Sequence, residues 1–174
     1  VFYLIHDMIV KTNLFLIAGL IRQLRGTMNM SKLGGLYAHY PKISLLIAVV
    51  LFSLAGIPPL SGFWPKIYLI EAGFSANNYA FVLSIIIGSF VTLYVIARLW
   101  SEVFWKNAPA NEILTDSFEP LKPFKKMLLV LPIGILAATT LYIGLNAEMI
   151  IQVADRISTE MLDTTPYVQA VLGK

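Results

Sequence analysis

The 174-residue sequence has no cysteine, only two histidines, and a charged fraction of 13%. The missing cysteine excludes a disulfide framework and a thiolate metal site. His6 and His39 stand too far apart in sequence to make a metal-ligand spacing. No motif for a nucleotide, a metal or a covalent nucleophile is present, so an enzyme is the least favoured class, and no cofactor or nucleic acid is expected. The scarcity of charge, about half the usual quarter of residues, argues against a water-soluble domain. In its place stand 57% apolar residues and a mean hydropathy of +0.75. This is an integral membrane chain. Val1 is preceded by no charged segment, so the start reads as part of a longer protein and not as a signal peptide.

Four apolar stretches stand out: 1–21, 43–74, 79–99 and 127–145. A hydrocarbon core of ~30 Å needs ~20 helical residues, which the first, third and fourth supply as one span each. The second as one helix would run roughly 48 Å at ~1.5 Å per residue. Pro58 and Pro59 forbid that continuity, because each removes an amide donor and the second biases the first away from helical angles. The expected fold is therefore all-α: four transmembrane helices, the second discontinuous with a break near 57–62. A C-terminal amphipathic helix over 148–163 follows, with Ile150, Val153, Ile157 and Met161 on one face. The 107–123 segment, with three prolines, reads as a loop.

Charge placement sets topology. Arg22, Arg25, Lys32 and Lys42 lie between the first two spans, and Arg98, Lys106, Lys122, Lys125 and Lys126 between the last two. The opposite side has only Arg156 and Lys174. Nine bases against two put the first set in the cytoplasm and the C-terminus outside. Trp100 and Trp105 suit an interfacial belt.

Lys11 and Lys66 remain, both inside spans. An ionisable side chain at bilayer depth costs ~2.5–3.5 kcal/mol on insertion scales and normally faces protein or a wet cavity. Lysine as a type suits proton transfer there, because burial disfavours the ammonium. Pro65 fits the first position of the second half-helix, with Gly62 keeping the link compact. Lys66 then sits at the restart, and free carbonyls around 55–57 offer a place for a cation or water. The bland alternative is a packing kink with a snorkelling lysine. Lys11 is one helical step from Asp7 and can pair with it. A purely structural ion pair is the alternative there. His6 points away from Lys11 and can extend a polar path with Thr12 or Asn13, or simply mark a helix end at the membrane surface. Gly19, Gly56 and Gly88 read as helix-packing positions, Phe15, Tyr94 and Tyr142 as bundle packing, and Glu71 as an interface residue.

The stretches "HDMIVKTNLFLIAG" and "LGGLYAHYPKISLLIAVVLFSLAGIPPLSGFWPKIYLIEAG" resemble the C-terminal part of the antiporter-like family. That family is shared by proton-pumping membrane subunits of respiratory complex I and by Mrp-type multisubunit sodium/proton antiporters. "SLAGIPPLSGFWPK" and "PYVQAVLGK" are most similar to the Mrp branch. The resemblance covers essentially the whole chain. It implies a subunit of about fourteen helices built on inverted repeats, each with a broken helix, of which this chain supplies the last four. It implies that Lys66 matches the ionisable residue at the far end of the proton path. Lys11 likewise matches the relay lysine of the family's histidine- and lysine-bearing helix, and His6 its histidine. Asp7 stands where the family often has a second histidine, and Pro65 where "SGFWGK" is common. The implied partners are other subunits of a membrane antiporter complex, the lipid bilayer, protons and sodium, in a bacterial cytoplasmic membrane. The glutamate and lysine pair that drives transport would lie in a preceding half, so these four helices are not expected to pump alone. A redox-driven pump subunit and a non-transporting scaffold are the competing readings.

Overall fold

The first apolar run forms α1 (Phe2–Arg25) in the computed structural model, which describes residues 1–107, 123–163 and 165–173. The predicted 107–123 loop, apart from its two ends, and the bases Lys122 and Lys174 lie outside the described residues. α1 stops at Gly26, whose left-handed backbone (φ 68°) lets its N–H reach Arg22 O at 2.8 Å. A short turn and α2 (Leu36–His39) lead to α3 (Pro41–Ala55), which starts on a proline where a missing amide costs least. α4 (Phe63–Ser75), α5 (Tyr79–Trp100), α6 (Pro123–Leu145), α7 (Ala147–Leu162) and α8 (Thr165–Leu172) complete the order, with no strand among the described residues.

Among the described residues, three helices are long and apolar enough to cross a membrane: Phe2–Arg25, Tyr79–Trp105, in which α5 continues through a wider π turn, and Phe124–Leu145. α3 is a shorter apolar helix, and α4 follows it after the break. Together they make the fourth, discontinuous span.

The core lies where α1, α3 and α6 meet, closed by the lower part of α5. α1 turns Phe2, His6, Val10, Asn13, Ile17, Leu20 and Leu24 inward, a helical stripe of three- and four-residue steps. Val10, Ile17, Leu20 and Leu24 pack with Ile43, Ile47, Val50 and Leu51 of α3, Ile133 and Ala137 of α6, and Ile96, Val103 and Phe104. Asn13 Nδ2 donates to Ile133 O at 3.2 Å, next to Pro132 inside α6. The outer faces stay apolar, with Leu83, Phe90, Leu128 and Leu131 exposed.

The two base-rich links meet at one end of the bundle. Gly35 N–H donates to Lys106 O at 2.6 Å, the Arg25 guanidinium donates to Gly34 O, and Lys126 Nζ stands 5.4 Å from the Tyr40 ring centre. The predicted co-location of these links is thus seen directly.

Several expectations change. Phe15, Tyr94 and Tyr142 are 79%, 66% and 57% exposed and do not pack within the bundle. Gly19 and Gly88 have open space where a Cβ would stand, whereas Gly56 is in close contact as expected, and so are Gly62, Gly73 and Gly144. α7 is amphipathic as expected, but it packs through Ala147, Ile150, Ile151 and Ala154, while Val153 and Met161 are exposed. Helical phase alone could not tell these faces apart, because apolar residues occur on both. Trp100 stacks on Phe104, while Trp105 meets Trp100 edge-on and is exposed at the surface.

Candidate functional site

The site is built on the break between α3 and α4. α3 ends at Gly56, left-handed at φ 86°, whose N–H donates to Phe52 O and Ser53 O at 3.1 Å each. The link then contains a cis Pro58–Pro59 peptide bond and two tight turns, Leu60 N–H to Ile57 O and Phe63 N–H to Leu60 O. Backbone that leaves a helix inside a membrane must find partners in the protein. Here two glycines make that approach possible. A Cβ on Gly62 would collide with Ser53 O and press on the His6 ring, and a Cβ on Gly144 of α6 would collide with Pro59 O. Trp64 Nε1 donates to Gly144 O at 2.9 Å and fixes the start of α4 to the end of α6.

The helix restarts earlier than expected. α4 begins at Phe63 with Gly62 as its N-cap, so Pro65 is the third helical residue and not the first. It still falls within the first turn, where amides have no intrahelical partner, so no hydrogen bond is lost. Pro65 is also fully buried.

Lys66 reaches back over the break. Its Nζ donates to Ala55 O at 2.8 Å and Leu54 O at 3.2 Å, the unpaired carbonyls at the end of α3. The negative end of the α3 dipole and two lone pairs therefore face the ammonium. The expected cation site at those carbonyls is filled by the lysine itself. Its stem crosses Gly56, where an added Cβ would stand 3.0 Å from Cδ and Nζ.

His6 is 3% exposed and faces the break, not the membrane surface. Its Nδ1 lies 2.9 Å from Ser61 Oγ, and Ser61 Oγ lies 3.1 Å from Ser53 Oγ. Asp7 Oδ2 pairs with Lys11 Nζ at 2.6 Å, as the i,i+4 spacing predicts. The two ends of that pair differ: the Asp7 side chain is 23% exposed and the Lys11 side chain 61%. Lys11 points away from the bundle, toward a side that none of these helices covers. Thr12 is exposed beside it, and Asn13 turns to α6, so neither extends the path from His6.

A cavity of about 370 Å³ brings His6, Asp7 and Lys66 together, with Tyr3, Leu54 and the α5 face carrying Ser84, Ser89 and Thr92. Each of these three hydroxyls donates to a carbonyl of its own helix, at 2.7, 2.8 and 2.7 Å, which leaves oxygen lone pairs available toward the cavity. Glu71 is exposed and does not line the cavity. Sequence reasoning missed Ser53, Ser61 and the α5 hydroxyls. The available signal was polar residues placed within otherwise apolar runs. Among the described residues no cluster of His, Cys, Asp or Glu could hold a metal ion.

A helical bundle with an interrupted span and an ionisable side chain at its break is an arrangement that recurs among membrane transporters. The sequence pattern of the family described as NADH:quinone oxidoreductase/Mrp antiporter, TM, matches residues 1–92, and the chain belongs to that family. It is similar to the D subunit of the Na(+)/H(+) antiporter of Bacillus subtilis, 33% identical over 99% of this chain and 34% of the relative. It is likewise similar to the D subunit of the Na(+)/H(+) antiporter of Alkalihalophilus pseudofirmus, 35% identical over 99% of this chain and 34% of the relative. A chain in the structure of the Mrp complex from Dietzia sp. DQ12-45-1b superimposes with a TM-score of 0.82 at 28% identity, covering 98% of this chain and 39% of that one. The chain thus spans about a third of the length of the curated relatives it matches.

Proposed function

We propose that this chain is the C-terminal transmembrane region of a proton-translocating subunit in a multisubunit sodium/proton antiporter, and that it carries the far end of that subunit's proton path. In this reading Lys11 receives a proton from the uncovered side of α1, and Asp7 tunes it. Water in the cavity then connects Asp7 and His6 to Lys66, which releases the proton toward one side of the membrane. Its partners are the other subunits of the complex and the bilayer, its cargo protons and sodium. The base-rich end faces the cytoplasm and the C-terminus the outside.

The observation that supports this most is the shared cavity: His6 and Asp7 from α1 and Lys66 from α4 line one space with hydroxyls from α5. Three ionisable side chains around one cavity inside a membrane bundle carry an energetic cost that a packing kink does not require. The family also contains redox-driven NADH:quinone oxidoreductases. Similarity to antiporter relatives along nearly the whole chain favours the antiporter branch.

The test is Lys66→Ala in the full-length complex reconstituted in proteoliposomes. Cation-dependent proton flux is expected to vanish while the complex assembles normally, and flux at the wild-type rate would refute the reading.

A further inference from the structure

One buried polar group has no place in the path just described. Ser61 and Ser53 are both 0% exposed, on the break and on α3, and their hydroxyls continue from His6 Nδ1 in a chain of 2.9 and 3.1 Å contacts. The chain leads into packed protein and not to the cavity, so it is no exit route. The His6 Nε2 edge has no hydrogen-bond partner among the described residues, and the ring lines the cavity.

We propose that Ser61, backed by Ser53, is a positioning residue that holds the His6 imidazole in place through a change of its protonation state. A neutral imidazole has one donor and one acceptor nitrogen, whereas the imidazolium has two donors. Nδ1 carries its proton and donates it to Ser61 Oγ, whose own O–H donates to Ser53 Oγ. The proton that charges the ring is gained and lost at the other nitrogen, Nε2, so both hydroxyls keep their roles in the neutral ring and in the imidazolium. Neither state leaves the His6–Ser61 contact unmade, which matters because a buried unpaired polar group is costly. No heavy atom has to move. Nε2 therefore keeps its position beside Gly62 while protons come and go. Gly62 completes the socket, since its absent Cβ would stand 2.9 Å from Nε2.

The charged and titratable groups around His6 are Asp7 and Tyr3 on its own helix, Lys66 on α4, and Lys11 through its pair with Asp7. Asp155 of α7 lies beyond Tyr3 in a neighbouring cavity. α3 brings hydroxyls only, as does the α5 wall apart from its apolar side chains.

This inference rests on the proton-path reading, and the two can fail separately. Cation-dependent proton flux of the full-length complex is measured across pH for Ser61→Ala, Ser61→Thr and Lys66→Ala. Ser61→Ala is expected to lower flux about tenfold, the worth of one hydrogen bond, and to displace the pH profile of the remaining flux. Ser61→Thr restores both. Should Ser61→Ala fail to assemble, Ser61→Cys, of similar shape but weak hydrogen bonding, is measured in its place with the same expectation. An unmoved pH profile in the variant that assembles, whatever its rate, overturns the hydroxyl pair. Wild-type flux in Lys66→Ala overturns the path reading instead.

Discussion

The two ends of this bundle solve different problems with the same helices. Toward the base-rich end, Leu20, Leu24, Ile43, Val103 and Phe104 close an apolar core, with a π turn at 101–105, and the lysines and arginines stay at the rim. Toward the other end, α1, α3 and α4 enclose His6, Ser53 and Ser61, all nearly inaccessible, and the chain leaves helical geometry from Gly56 to Gly62. Apolar packing fills the first end, with a few backbone and side-chain contacts such as Gly35 to Lys106 joining its links. In the second, each departure from regular helix is matched by a specific partner: Lys66 for the α3 carbonyls, Gly62 and Gly144 for close backbone approach, Ser61 for His6. Irregular backbone in a membrane is tolerated on those terms. The contrast says that the polar end is built for something the apolar end does not do.

The largest break in this contrast should come from Gly62→Val. Its side chain has nowhere to go, since even a Cβ meets Ser53 O and His6. The assembled complex is expected to be nearly absent from membranes, measured by how much of the chain co-purifies with its partners. Near wild-type amounts would mean that the break is not held as tightly as these contacts indicate.

Next in size is Lys11→Arg. It preserves a charge that can pair with Asp7 but removes a side chain able to deprotonate. Flux by the full-length complex should fall about tenfold or more with assembly unchanged, on the order of 1.4 kcal/mol in the barrier. Unaltered flux and pH dependence would leave the pair as structure only.

The smallest effect on transport belongs to the apolar end. Ile47 is 1% exposed in the core, and Ile47→Ala is expected to cost ~2 kcal/mol through the void it leaves. That appears as a lower midpoint of thermal unfolding in detergent. Flux per assembled complex should stay within about twofold of wild type, a barrier change of under ~0.5 kcal/mol. A flux loss comparable to that of Lys11→Arg would erase the division between the two ends.

Much of this was legible in the sequence because single residues have strong, local consequences. Pro58 and Pro59 could only mean an interrupted span, and the clusters of bases could only sit together on one side. The Asp7–Lys11 pair followed from helical spacing and is present at 2.6 Å. What sequence could not supply was the outcome of packing. Ser53 and Ser61 are unremarkable as isolated letters and become partners only once the break folds back on α1. Gly144 is one glycine among 11 until the Pro59 carbonyl is seen against it. The aromatic residues expected inside lie on the outer faces of these helices, because hydrophobicity alone does not say which side of an apolar helix turns toward its neighbours. Pro65 fell two residues off for a smaller reason: the turn at Leu60 to Phe63 already nucleates the helix before the proline arrives.

The central claim is that the cavity between His6, Asp7 and Lys66 is a wet segment of a proton path. A high-resolution density map of the full-length complex tests it most directly. The account predicts ordered water bridging His6 and Asp7 to Lys66 across the α5 hydroxyls. A dry space sealed by apolar side chains, with Lys66 bonded only to the α3 carbonyls, would contradict it.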